Sequence, residues 1–314
     1  MRHHTILLLL TGLLLGLGPV HAQEASALIS QGDSLLARNN PAKAMEKFNQ
    51  AVAMGRTADA LAGRARGWYF QGKFDKFMED VSDALRMDST HVRANYLRAL
   101  YALRAEDNQG AIRFATRVIE GKAAPDMVKR ALAVRGQAEA AVGQTDKAVA
   151  DLRAGLEGNT EDLDALKTWA RLEDEAGYPE ASLAILEKLC GLDPKDIGNW
   201  SNRGFELNRL ERYEEANQVL DKALQLDKDE PVVLSNKAFA LMNLGREKEA
   251  MNTVNRSLGA DRVNPYALRT RAMLYLRKGD RDKACTDLTL AKALGGAPQV
   301  DGMIKQYCSG LRDK

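Results

Sequence analysis

The stretch 197–230, IGNWSNRGFELNRLERYEEANQVLDKALQLDKDE, places Trp200, Gly204, Leu207 and Leu210 at helical spacing, then Tyr213, Ala216, Leu220, Ala223 and Leu226 at the same spacing. Apolar and small residues recurring every three or four positions mark an amphipathic helix. Two such runs stand either side of the polar Glu211-Arg212. The register repeats after a period of about 34 residues. Residues 231–264 supply Leu234, Ala238, Leu241, Leu244, Glu247, Ala250, Val254, Ser257 and Ala260, and the next period supplies Leu268, Ala272, Tyr275, Lys278, Arg281, Ala284, Leu288, Ala291 and Leu294. Gly204, Ala238 and Ala272 fall at one position of the first helix, where a larger side chain would hold the two helix axes apart. Gly245 and Gly279 follow the first helices as residues able to take the left-handed conformation that ends a helix, with Glu211 in the corresponding place of the first unit.

This grammar resembles the tetratricopeptide repeat family, of an exported bacterial type. The resemblance implies an all-α, right-handed α-solenoid of antiparallel helix pairs. Toward the N-terminus the same pattern continues with more drift. The expected repeats are approximately 25–57, 58–91, 92–125, 129–162, 163–196, 197–230, 231–264 and 265–296, with Asp126–Val128 left over as a small break. Phe77 stands where the second helix normally carries alanine. After the eighth unit, Val300, Met303, Ile304 and Tyr307 predict a capping helix within 298–308 that covers the last apolar face. No long linker interrupts 23–314, which reads as one solenoid.

Ahead of the repeats lie Arg2, the apolar run Ile6–Leu17 and Val20-His21-Ala22, the pattern of a secretory signal peptide over 1–22. The expected destination is periplasmic or secreted. Removing the signal takes away His3, His4 and His21, so His91 is the one histidine left, in a linker between helical segments. Histidine-based zinc sites and serine–histidine triads are excluded by this inventory. No glycine-rich phosphate loop follows a strand, so neither an enzyme, a cofactor nor a metal is expected.

The 314 residues carry 45 Lys and Arg against 43 Asp and Glu, a formal charge of +2. That balance supplies no field for wrapping nucleic acid. Three cysteines remain in the mature chain. Cys285 in the last second helix and Cys308 in the cap meet if the cap folds back, and an oxidising compartment favours a disulfide between them. Cys190, beside Leu189, is expected to be buried.

In the resembled fold, first helices line a groove. Asn202 and Asn236 share one first-helix position, with Thr270 next, and an amide both donates to and accepts from an extended peptide. Phe205, Arg209, Phe239, Asn243, Tyr266, Arg269 and Arg277 complete the expected peptide-binding set, adding apolar pockets and carboxylate recognition. A second expected surface comprises Arg66, Tyr69, Arg93 and Tyr96. The functional expectation is a non-enzymatic adaptor that binds a protein or peptide. Its alternative is a scaffold subunit of an envelope complex, peripherally associated with a membrane complex and binding through its convex face or repeat edges.

Overall fold

The computed structural model describes residues 18–158, 162–295 and 297–309. The apolar run Ile6–Leu17 of the expected signal peptide lies outside them, whereas Val20-His21-Ala22 lies inside the first helix. Among the described residues no helix is long and apolar enough to cross a membrane.

The fold is an all-α solenoid built from antiparallel helix pairs and closed by a short terminal helix. The chain divides into two compact units, residues 1–157 and 158–314. In the first unit the pairs are α1 (Gly18–Ala37) with α2 (Pro41–Met54), α3 (Ala58–Phe70) with α4 (Phe74–Met87), α5 (Val92–Arg104) with α6 (Asn108–Ile119), and α7 (Pro125–Ala141) with α8 (Thr145–Leu156). In the second they are α9 (Leu163–Glu175) with α10 (Pro179–Leu192), α11 (Ile197–Arg209) with α12 (Tyr213–Leu226), α13 (Pro231–Asn243) with α14 (Glu247–Ala260), and α15 (Pro265–Arg277) with α16 (Arg281–Leu294), followed by α17 (Val300–Tyr307).

Every pair turns on one residue with positive φ: Asn39, Gly72, Glu106, Gly143, Gly177, Glu211, Gly245 and Gly279. The turn after α13 shows why. With Gly245 at φ 75°, the Arg246 N–H reaches back to the Leu241 carbonyl at 2.9 Å and the Gly245 N–H donates to Met242 at 3.2 Å, capping carbonyls that the helix leaves open. Glu211 makes the same turn at φ 59°, its neighbour Arg212 donating to the Leu207 carbonyl at 2.9 Å. Close approach explains the small residue of the first helix. A Cβ on Gly204 would stand 2.5 Å from Cγ and Cδ2 of the fully buried Leu220.

Asp126–Val128, left over between the expected repeats, are helical. They are absorbed into the first turn of α7, which runs to 17 residues where α5 and α9 have 13. His91 is a helix cap, its Nδ1 accepting the Ala94 N–H at 3.2 Å while Nε2 lies 3.0 Å from Asp59 Oδ1. Phe77, the bulky departure, is fully buried beside Ala65, with the Tyr69 and Tyr101 rings 5.4 and 5.3 Å away. The small partner on the opposite helix leaves room for the ring.

The second unit ends as the apolar pattern predicts. Val300 is buried in one cluster with Ala284, Leu288 and Ala291, and Met303, Ile304 and Cys308 pack against it. Cys285 and Cys308 are joined in a disulfide, their Cα atoms 5.6 Å apart. Cys190 is the free cysteine. Burial pushes its thiol up to about 11, which suppresses the nucleophilic thiolate at neutral pH.

Candidate functional site

A groove of about 780 Å³ opens on the second unit. Binding sites for small ligands and peptide segments fall in this range, about 300–1,000 Å³. Its walls come from first helices and their entry turns. Lys167, Thr168, Ala170, Arg171 and Asp174 come from α9, Gly198, Asn199, Asn202, Phe205 and Glu206 from α11, and Val232, Ser235 and Asn236 from α13. The entry to α15 adds Val263, Asn264, Pro265 and Tyr266, and Ser182 and Leu186 of α10 form the back.

Side-chain caps fix the register of these helices. Asp162, Asp196, Glu230 and Asn264 each accept a backbone N–H of the first turn that follows, at 2.6 to 3.3 Å. Because each first helix starts at the same point of the period, Thr168, Asn202 and Asn236 arrive at equivalent positions and all three line the groove.

Polar bonds and rings order the surface. Asn236 is nearly buried, its Nδ2 at 3.4 and 3.5 Å from the Ser201 carbonyl and hydroxyl, and its own carbonyl accepts from Asn208 Nδ2 at 2.9 Å. Asn202 is exposed. Phe205 and Tyr266 meet edge to face at 6.3 Å. Lys167 pairs with Asp196 at 2.6 Å and Arg171 with Glu175 at 2.6 Å.

The deepest charged group is Glu206, 2% exposed. It takes the Ser182 hydroxyl at 3.5 Å and Arg209 Nη1 at 3.2 Å, and the same Arg209 nitrogen also bonds Asp174. Burial first, and the neighbouring Asp174 second, push the Glu206 carboxyl up to about 7, while Arg209 pulls the other way.

The expected peptide-binding residues separate into two sets. Asn202, Phe205, Asn236 and Tyr266 line the groove, and Arg209 anchors its two acids. The others do not line the groove. Arg269, expected as an open carboxylate receptor, is 9% exposed, donates to the Pro298 carbonyl at 3.3 Å and stacks 5.3 Å from Phe239 and 5.7 Å from Tyr266. Burial lowers its pKa, the mark of a guanidinium withdrawn from water. Phe239 is held between Arg269 and Tyr213, Asn243 donates to the Phe239 carbonyl at 2.9 Å, and Arg277 donates to the Met242 carbonyl at 2.6 Å. In the first unit, Arg66 and Arg93 both grip Asp33, at 2.8 and 2.9 Å. Tyr69 packs on Phe74 and Phe77, and Tyr96 joins an apolar cluster with Val118 and Val134. The second expected surface thus has partners within its own unit, while Arg66 keeps 40% of its side chain exposed.

Sequence reading missed Thr168, Asp174, Asn199, Glu206, Val232 and Val263. Thr168 stood one period before Asn202 and was accessible to the same alignment. Glu206 was not, because its counterpart one period on is Ala240 and only the fold reveals its burial. Among the described residues no group of three or more His, Cys, Asp or Glu side chains is placed to hold a metal ion.

Comparison with known proteins defines the class of this groove-bearing fold. Residues 207–274 match the tetratricopeptide repeat family model, and the paired helices of both units follow the same plan, so the chain is a protein of the tetratricopeptide-repeat fold. The crystal structure of YrrB, a tetratricopeptide repeat protein with an unusual peptide-binding site, is similar with a TM-score of 0.56 at 13% identity, over 61% of this chain and 97% of that one. MamA from Desulfovibrio magneticus RS-1 gives 0.46 at 15% identity over 54% and 94%, and MamA of AMB-1 gives 0.49 at 18% over 55% and 100%. No curated protein sequence matches this chain.

Proposed function

We propose that this chain is a protein- or peptide-binding adaptor, exported to the periplasm or secreted, and that the groove of its second unit is where the partner lies. The observation that carries the reading is the groove itself. Equivalent polar positions Thr168, Asn202 and Asn236 run along three first helices, flanked by the apolar Phe205, Tyr266, Val232 and Val263. Polar groups repeating at one helix-to-helix spacing suit an extended backbone, whose own amides and carbonyls repeat, and the rings suit its side chains. YrrB, similar in fold, is described as having a peptide-binding site. The signal-like N-terminus supports export.

Asn202→Ala and Tyr266→Ala test the groove, with capture of a partner from native cells as the readout. Capture weakened with helicity unchanged supports the reading; unaffected capture by both variants rejects it. Recovery of the chain in the osmotic-shock fraction or the medium tests export.

One feature favours a second reading, a scaffold subunit that binds along its repeat edges. Leu192, Leu226 and Leu294 end α10, α12 and α16 and are 40%, 45% and 39% exposed. Under that reading Leu226→Glu abolishes assembly and the groove variants do not.

A further inference from the structure

The charges of the groove do not cancel at its inner end. Lys167 is matched by Asp196 and Arg171 by Glu175, while Asp261, at the entry to α15, accepts the Val263 N–H. Asp174 and Glu206 share a single guanidinium, that of Arg209. Two carboxylates facing one cation leave a net negative site once Glu206 is ionised, and Glu206 itself lies almost out of water. A second observation comes from Asn199. It is 2% exposed, lines the same groove, and its Nδ2 has no hydrogen-bond partner. A buried donor left unmatched is unfavourable and is relieved by an acceptor entering beside it.

Resting on the peptide-groove reading above, we propose that the ligand is an extended peptide carrying a lysine or arginine, whose cationic head seats on the Asp174–Glu206 pair while a backbone carbonyl of the same segment accepts from Asn199. Phe205, Tyr266, Val232 and Val263 give the aliphatic stem and the neighbouring side chain an apolar bed. Charge complementarity selects this occupant. An acidic segment would bring a third carboxylate to the one guanidinium.

The proton balance of Glu206 follows from the same geometry. The groups around it are Asp174 on α9, Ser182 on α10 and Arg209 on α11, while α13 offers the groove the neutral Ser235 and Asn236. With its carboxyl near 7, Glu206 is largely protonated at pH 6 and largely ionised at pH 8. A peptide cation favours the ionised form, so binding below pH 7 releases the Glu206 proton to solvent and is weaker there.

Fluorescein-labelled, end-capped decapeptide pools test this on the full chain. The pools share random glycine, serine, valine and leucine flanks and differ only in a fixed central lysine, arginine, norleucine or glutamate. Polarisation titrations at pH 6 and pH 8 then compare the native chain, Glu206→Gln and Asp174→Asn. The lysine and arginine pools are expected to bind about tenfold more tightly at pH 8 than at pH 6, the ratio of ionised Glu206 for a carboxyl near 7, with the norleucine pool unchanged. Glu206→Gln removes the pH dependence. Asp174→Asn, at a more exposed position, lowers the preference for lysine over norleucine. Equal binding of the norleucine and lysine pools, or preference for glutamate, overturns the cation assignment and leaves the groove reading intact. Binding by no pool overturns both.

Discussion

Arg271 of α15 and Asp287 of α16 form a forked pair across their helix hairpin, Nε to Oδ2 at 2.7 Å and Nη2 to Oδ1 at 2.8 Å. Arg64–Asp80 and Arg135–Asp151 make the same double contact at the same sequence separation of 16 residues. Each joins the first helix of a pair to the second, and the acid is buried or nearly so. Planar two-point bonding fixes relative rotation as well as distance, which a lysine would not do.

Removing the acid strands a partly buried guanidinium. Asp287→Ala is expected to lower stability by about 2–4 kcal/mol, and Arg271→Lys by about 1 kcal/mol, since charge is kept but the fork is lost. Urea unfolding of the two variants measures both. Equal, negligible effects would reduce the pair to a surface contact.

The hairpin turns give a pair of opposite predictions. Gly245→Ala places a Cβ in open space but at φ 75°, so its cost is backbone strain alone, about 1 kcal/mol. Glu211→Gly relieves the same strain at φ 59° and is expected to raise stability by up to about 1 kcal/mol. Thermal unfolding midpoints should therefore move in opposite directions.

Gly204→Ala acts through packing instead. The new methyl meets Leu220 at 2.5 Å, so α11 and α12 must separate, at a cost of about 1–3 kcal/mol. Adding Leu220→Ala to Gly204→Ala should recover part of that loss, a non-additivity read from a double-mutant cycle.

The cap is tied by Cys285–Cys308, which closes a loop of sequence separation 23. Cys308→Ser is expected to cost about 3 kcal/mol and to speed amide exchange in α17. Denatured, unreduced protein should expose the Cys190 thiol alone, and Cys308→Ser should add that of Cys285. Titration of all three thiols in the native chain would remove the bond.

Stability should fall as pH rises through the titration of Glu206. Its carboxyl is raised from about 4.5 in the unfolded chain to about 7 when folded, so between these values the folded state holds the extra proton. The stabilisation is full below about pH 4.5 and lost above about pH 7, amounting to at most about 3 kcal/mol. Glu206→Gln should flatten this slope and be more stable than the native chain at pH 8. A steeper slope in the variant would contradict the assignment.

The period carried most of the fold. Gly204, Ala238 and Ala272 mark close helix contact in the sequence itself, and Val300, Met303 and Ile304 mark the cap. The hairpin forks were less legible, because Arg98 and Arg203 stand at the arginine position with Phe114 and Val219 opposite, so the alignment alone shows a broken pattern. At the groove, exposed repeating positions such as Asn202 were readable, whereas Arg269 was not. A first-helix arginine looks open in sequence, but Phe239 and Tyr266 close over it. Burial of a polar residue depends on neighbours one and two repeats away, and single-repeat reasoning does not reach them.

Site-specific photo-crosslinking in the native cell tests the central claim most directly, with a benzophenone amino acid at Asn202 in the groove and, separately, at the exposed Gln218 on α12. The account predicts one reproducible partner segment captured from position 202 and not from 218. Crosslinks from 218 alone, or from either position only to further copies of this chain, would contradict it.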